Sequence, residues 1–248
     1  MLLRLTALLL APVLLSQAKT VRRTLPRLPE ADGARRGVAG CGATLRVLVT
    51  GDSAAAGVGA THQDEALAGQ LVGCLSGDFQ VHWQLLARSG RTTAQISAAL
   101  SSAALPESDV AVVSAGVNDV LGRCTPRAWL HALDDLVDVL RRHCGVRLIV
   151  FAPLPPMHQF PALPQPMRWF LGQRAKAFNR ALVHFVKAHP ECRVLVSPFD
   201  FVPEMMASDG FHPGPPAYAL WAKTAALETL RWAQSHDPAL AVTVNAKL

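Results

Sequence analysis

The chain has 248 residues, 50% of them hydrophobic and 17% charged, which fits one globular domain with a sizeable core and excludes a disordered polymer. The net charge is +6, but residues 1–37 carry seven basic side chains against Glu30 and Asp32, leaving the remainder at +1. That distribution excludes a nucleic-acid surface on the domain and assigns the basic signal to a membrane flank or a linker.

The first 18 residues, MLLRLTALLLAPVLLSQA, place Arg4 before an apolar run and small residues at Ser16 and Ala18, as a signal-peptidase site requires. The basic cluster that follows the run favours a retained membrane anchor or a membrane-surface helix. Residues 1–18 therefore read as a signal peptide or an anchor, and the protein as exported or membrane-associated. Residues 19–43, rich in Arg, Pro, Gly and Ala without a sustained period, read as a linker. Five cysteines, Cys41, Cys74, Cys124, Cys144 and Cys192, have no metal-type spacing and are odd in number, so they read as buried thiols.

From residue 44 strands and helices alternate. Strands are expected at 45–50, 79–86, 109–114, 146–152 and 193–197, and helices at 64–75, 92–104, 126–143, 168–188 and 216–233. The alternation implies a parallel five-stranded sheet covered by helices on both faces, in a domain spanning 44–235 with a tail at 236–248. In such sheets ligands bind outside the carboxyl ends of the strands.

Four strand ends carry chemistry. Gly51-Asp52-Ser53 follows the first, Ser89-Gly90-Arg91-Thr92 the second, Gly116-Val117-Asn118-Asp119 the third, and Asp209-Gly210-Phe211-His212 comes after the fifth. A serine hydroxyl needs a base to become a nucleophile, and a histidine base needs a carboxylate to orient it. Ser53, His212 and Asp209 supply those types. The backbone N–H groups of Ser53 and Gly90 and the amide of Asn118 are candidate donors to an oxyanion. Asp52 reads as a loop hydrogen-bonder, Asp119 as a brace for the loop that carries Asn118, and His62 as a surface or capping residue. The long loop 153–166 reads either as an apolar acyl wall or lid built on Met157, Phe160 and Leu163, or as a rigid Pro-rich connector. A phosphate-cradling loop is excluded: Gly57-Val58-Gly59 lacks the third glycine of a dinucleotide fingerprint, and no Gly-Lys-Ser/Thr follows.

These four blocks, in this order and on these strand ends, resemble the SGNH (GDSL-type) hydrolase family over about residues 44–233. Block two departs from the family pattern in lacking an asparagine before Gly90. The resemblance implies a flavodoxin-like three-layer α/β/α sandwich that hydrolyses carboxylic esters and sometimes thioesters. It makes Ser53 the nucleophile, His212 the base and Asp209 its orienting acid, with Ser53, Gly90 and Asn118 forming the oxyanion hole. It implies no metal or other cofactor. The expected partner is a small-molecule or lipid-like ester, the lipid lean coming from the apolar leader and loop. Acyl transfer on the same site, or a membrane-anchored protein that binds acyl or glycan ligands without catalysis, are the alternatives.

Overall fold

A computed structural model describes residues 2–196 and 202–236. Six strands form one sheet: β1 (Arg36–Ala39), β2 (Ala43–Gly51), β3 (Phe79–Ala87), β4 (Val110–Ser114), β5 (Leu148–Phe151) and β6 (Cys192–Val194). Their spatial order is β1-β3-β2-β4-β5-β6, with every neighbouring pair parallel except β1 and β3. Without β1 this is the flavodoxin-like order, in which connections leave in opposite directions from the first parallel strand. That switch falls between β2 and β4.

Helices α2 (Leu67–Leu75) and α7 (Pro215–His236) pack together on one face. Helices α3 (Thr93–Ser102), α5 (Pro126–Arg142) and α6 (Met167–Ala188) cover the other, with α3 against α5 and α5 against α6. The sequence explains the best of these. In α5, Thr125 Oγ1 accepts the Ala128 N–H at 3.2 Å, Pro126 occupies the first turn, and Trp129, Leu133, Leu136, Val137 and Leu140 form the buried stripe. Strand β4 is buried along its whole length, as expected for the centre of a parallel sheet.

The expected architecture is present, with differences. The sheet has six strands because Arg36–Ala39, inside the expected linker, adds an antiparallel edge. Only four residues long and half-exposed, β1 has little hydrophobic pattern of its own. It is held by pairing with β3, by the Leu85 N–H to Arg35 O bond of 2.7 Å, and by Arg35 Nη1 on Ala87 O at 2.9 Å. The rest of the expected linker is pinned as well. Asp32 exchanges backbone hydrogen bonds with Thr61 and Gln63, and buried Gln63 Nε2 donates to Ala31 O. The helix expected over 64–75 begins as a 3-10 turn, Gln63–Glu65, capped by His62, and becomes α2 only at Leu67. A short helix, α4 (Val117–Leu121), was not expected and carries Asn118 and Asp119.

Residues 2–24 form one continuous helix, α1 (Leu2–Thr24), which crosses the expected boundary after Ala18. It docks on the start of α6: Gln17 Nε2 donates to Gln165 O at 2.6 Å and Gln17 Oε1 accepts the Met167 N–H at 3.1 Å. Among the described residues no helix is long and apolar enough to cross a membrane, so the anchor expectation finds no support. All five cysteines are unpaired, and Cys144 and Cys192 are buried. The end of the expected fifth strand at Ser197 and nearly all of the tail, 237–248, lie outside the described residues.

Gly51 ends β2 at φ +150°, and a Cβ there would be driven into the Ser114 carbonyl oxygen of β4. Gly73, inside α2, has open space around its missing Cβ. The same substitution should therefore have opposite signs. Gly51→Ala is expected to destabilise the fold by about 1–3 kcal/mol or more, and Gly73→Ala to stabilise it by about 0.5–1 kcal/mol. Urea unfolding of both variants beside the parent chain measures the difference.

Candidate active site

The sheet brings three strand ends level. Gly51 is paired with Ala87 of β3 on one side and Ser114 of β4 on the other. Beyond Gly51 the chain turns sharply. The Asp52 N–H donates to Ser114 O at 3.0 Å, Ala56 N–H returns to Asp52 O, and Val58 N–H to Ser53 O. The buried Tyr218 hydroxyl of α7 donates to Val58 O at 2.7 Å and fixes the far side of this loop. Ser53 is left partly exposed at the carboxyl edge while its neighbours on both sides are buried.

The loop before α7 brings Asp209 and His212 to the same place. A backbone bond from Ala207 N–H to His212 O and the Met206–Pro213 bridge close it into a tight turn. His212 Nε2 lies 3.0 Å from Ser53 Oγ, and His212 Nδ1 lies 2.6 Å from Asp209 Oδ2. Asp209 Oδ1 accepts the backbone N–H groups of Phe211 and His212, both at 2.9 Å. The Asp209 side chain is fully buried, while the imidazole keeps 19% of its surface exposed. Burial by itself would raise the Asp209 carboxyl, but the hydrogen bonds from the His212 ring and the two backbone N–H groups hold it below the usual carboxylate range.

Asn118 and Gly90 come from the next two strand ends. Gly116, at φ +112° and packed against the Trp129 ring, starts α4 and sets the direction of Asn118. Asn118 Nδ2 donates to Arg91 O at 2.9 Å, which uses one of its two amide hydrogens and ties α4 to the Gly90 loop. Asp119 Oδ2, buried, accepts the Thr93 N–H at 3.0 Å and the Thr93 hydroxyl at 2.8 Å, and Trp129 Nε1 donates to that same hydroxyl. Asp119 thus braces the loop as expected, and it clamps the start of α3 too. Arg174 of α6 closes the other end of α4 by donating to the carbonyls of Asp119, Gly122 and Cys124. Gly90 is exposed at φ +81°, a conformation that favours glycine whatever approaches it. Among the described residues, neither the Ser53 N–H nor the Gly90 N–H has a hydrogen-bond partner.

Two supporting carboxylates were harder to foresee. Asp52 is a loop hydrogen-bonder, with Oδ1 accepting the Ala54 N–H at 3.2 Å and the Ser114 hydroxyl at 3.1 Å. It is also completely buried with Oδ2 unpartnered, and burial drives its carboxyl up to about 6 against those two hydrogen bonds. Glu30, in the expected linker, accepts the Ser89 N–H at 2.6 Å and the Arg35 guanidinium at 2.6 Å, which anchors the loop next to Gly90. No local signal marks Glu30, because its partner lies 59 residues away.

The loop 153–166 is a packed wall. Met157, Phe160 and Leu163 are all buried, and Asn179 of α6 bonds both the N–H and the carbonyl of Leu154. Phe160 reaches the site, where it stacks edge-on against Phe211 at 5.1 Å.

Residues 49–220, more than half the chain, match the sequence profile of the GDSL-like lipase/acylhydrolase family. The chain is 29% identical over 188 residues to the GDSL-like esterase Rv1075c of Mycobacterium tuberculosis, covering 71% of this chain and 59% of that protein's length. Among solved structures it resembles TesA, with a TM-score of 0.56 and 22% identity over 75% of this chain and 98% of that one. It also resembles the lipase/acylhydrolase of Enterococcus faecalis, with a TM-score of 0.58 and 18% identity over 74% of this chain and 94% of that one. The two structural likenesses establish the fold, and the profile match over the strand-end blocks establishes the lineage: the chain belongs to the GDSL-like lipase/acylhydrolase family.

Proposed function

We propose that this protein hydrolyses carboxylic esters through an acyl-enzyme on Ser53. The observation that carries the reading is the hydrogen-bonded chain Ser53 Oγ–His212 Nε2–His212 Nδ1–Asp209 Oδ2, at 3.0 and 2.6 Å. Family membership and the esterase assignment of the mycobacterial relative support it.

In this reading Ser53 Oγ attacks the ester carbonyl carbon as its proton passes to His212 Nε2. Asp209, held ionised by three hydrogen bonds, keeps the other ring nitrogen protonated and stabilises the imidazolium. The carbonyl oxygen becomes an oxyanion that accepts from the N–H groups of Ser53 and Gly90 and from the second hydrogen of the Asn118 amide. Collapse of the tetrahedral intermediate breaks the bond to the alcohol oxygen, which leaves with the proton from His212. A water then gives its proton to His212 and attacks the acyl-Ser53 carbonyl. The second collapse releases the acid and returns the proton to Ser53. No step calls for a metal or another cofactor.

Ser53→Ala should lower turnover of p-nitrophenyl acetate by about 10⁴–10⁶-fold without changing the circular dichroism spectrum, and should abolish labelling by a fluorophosphonate. Full retained activity would remove Ser53 from the reaction. Asn118→Ala should lower kcat by on the order of 10²–10³-fold with a smaller change in KM, because its second N–H serves the transition state more than the bound ester.

Asp52 gives a pH signature. Its carboxyl is near 4 in the unfolded chain and about 6 in the fold, so the fold favours the neutral form. The associated stability is fully present below the unfolded value and is lost as pH rises through about 6, a change on the order of 2–3 kcal/mol. Asp52→Asn lacks this titration. Its stability relative to the parent should therefore improve by that amount between pH 4 and 7 in urea melts, whereas parallel pH profiles would contradict the assignment.

A further inference from the structure

A small slot opens beside Ser53 and His212, walled by Ala54, Val117, Leu154, Phe160 and Phe211. The slot is small, with about 30 Å³ open to the centre of a water-sized group, which suits a short alkyl group. Gly90 and Asn118 do not line it. The oxyanion side of the reacting carbon thus points elsewhere, and the slot is left for another substituent of that carbon. Its apolar walls suit an alkyl group and offer little to a polyhydroxylated or charged alcohol.

We propose that this slot is an acyl pocket that restricts the enzyme to esters of short acyl chains, with Phe160 as the specificity-determining residue. The inference rests on the ester-hydrolase reading and narrows it, and it replaces the lipid-like substrate expected from the apolar leader and loop. What makes the limit firm is the rigidity of the far wall. Phe160 is 1% exposed and stacks edge-on against Phe211 at 5.1 Å, and Phe211 in turn stacks edge-on against the His212 ring at 5.2 Å. The loop carrying Phe160 is pinned by Asn179 on Leu154, by Arg168 Nε on Leu163 O at 2.5 Å, and by the Ala162 N–H to Gly210 O bond at 3.4 Å. A longer acyl chain would have to displace Phe160, and the displacement would reach His212 through Phe211. Long chains should therefore lose kcat as well as affinity.

The test is kcat/KM for p-nitrophenyl acetate, butyrate and octanoate, with an acetate series of increasing alcohol length run beside it. The parent chain should favour acetate over octanoate by on the order of 100-fold or more. Phe160→Ala should raise the octanoate-to-acetate ratio by at least about tenfold. Because Phe160 is buried, Phe160→Leu and Leu154→Ala are milder enlargements that should move the ratio the same way. A parent chain that hydrolyses octanoate as well as acetate overturns the inference, and so do folded variants with an unchanged ratio. A response confined to the alcohol series would mean that the slot holds the alcohol, and overturns it too. Octanoate turnover as fast as that of acetate, and abolished by Ser53→Ala, would sink the acyl limit alone, whereas no turnover of any ester would sink the hydrolase reading and the limit with it.

Discussion

Everything at the carboxyl edge depends on the junction between the ends of β2 and β4. The Ser114 carbonyl accepts the Asp52 N–H and lies where a Cβ on residue 51 would be, so the chain can leave β2 only through a glycine. The Ser114 hydroxyl holds the Asp52 side chain under the turn. With both contacts made, Ser53 is presented at the topological switch of the sheet, where the connections part to opposite faces and leave a crevice. The remaining parts of the site are brought to this fixed point by loops that have their own bracing.

Two carboxylates lie close to the serine, and their surroundings push them in opposite directions. Asp209 has three donors aimed at it and stays ionised, which suits a partner for an imidazolium. Asp52 has two donors, one bare oxygen and complete burial, and its carboxyl rises to about 6. Sequence position does not separate their duties, since Asp52 is the residue adjacent to the serine. The difference comes from hydrogen-bond supply, which only the folded loops determine.

The parts of the fold legible in the sequence were those with strong local patterns. The Val- and Leu-rich parallel strands and the stripe of α5 carry their own periodicity, and the strand-end blocks could be read from their order along the chain. What could not be read depends on partners far away in sequence. β1 is an edge strand only because β3 is there to pair with it. α4 is five residues long, too short to carry a period, and is held by Arg174 from α6. The loop 153–166 looked equally like a lid or a connector because its apolar residues say nothing of direction. Packing turned Met157 and Leu163 into the core and left Phe160 at the site.

The attachment of residues 30–39 changes where the working unit begins. Glu30 holds the Ser89 N–H and Arg35 together, and Arg35 reaches the Ala87 carbonyl at the end of β3. A domain trimmed to the first parallel strand would keep every residue of the four strand-end blocks and still lose the carboxylate that steadies the loop beside Gly90. The part of the chain that matches the family begins at residue 49, so this brace on the site comes from outside the matched region.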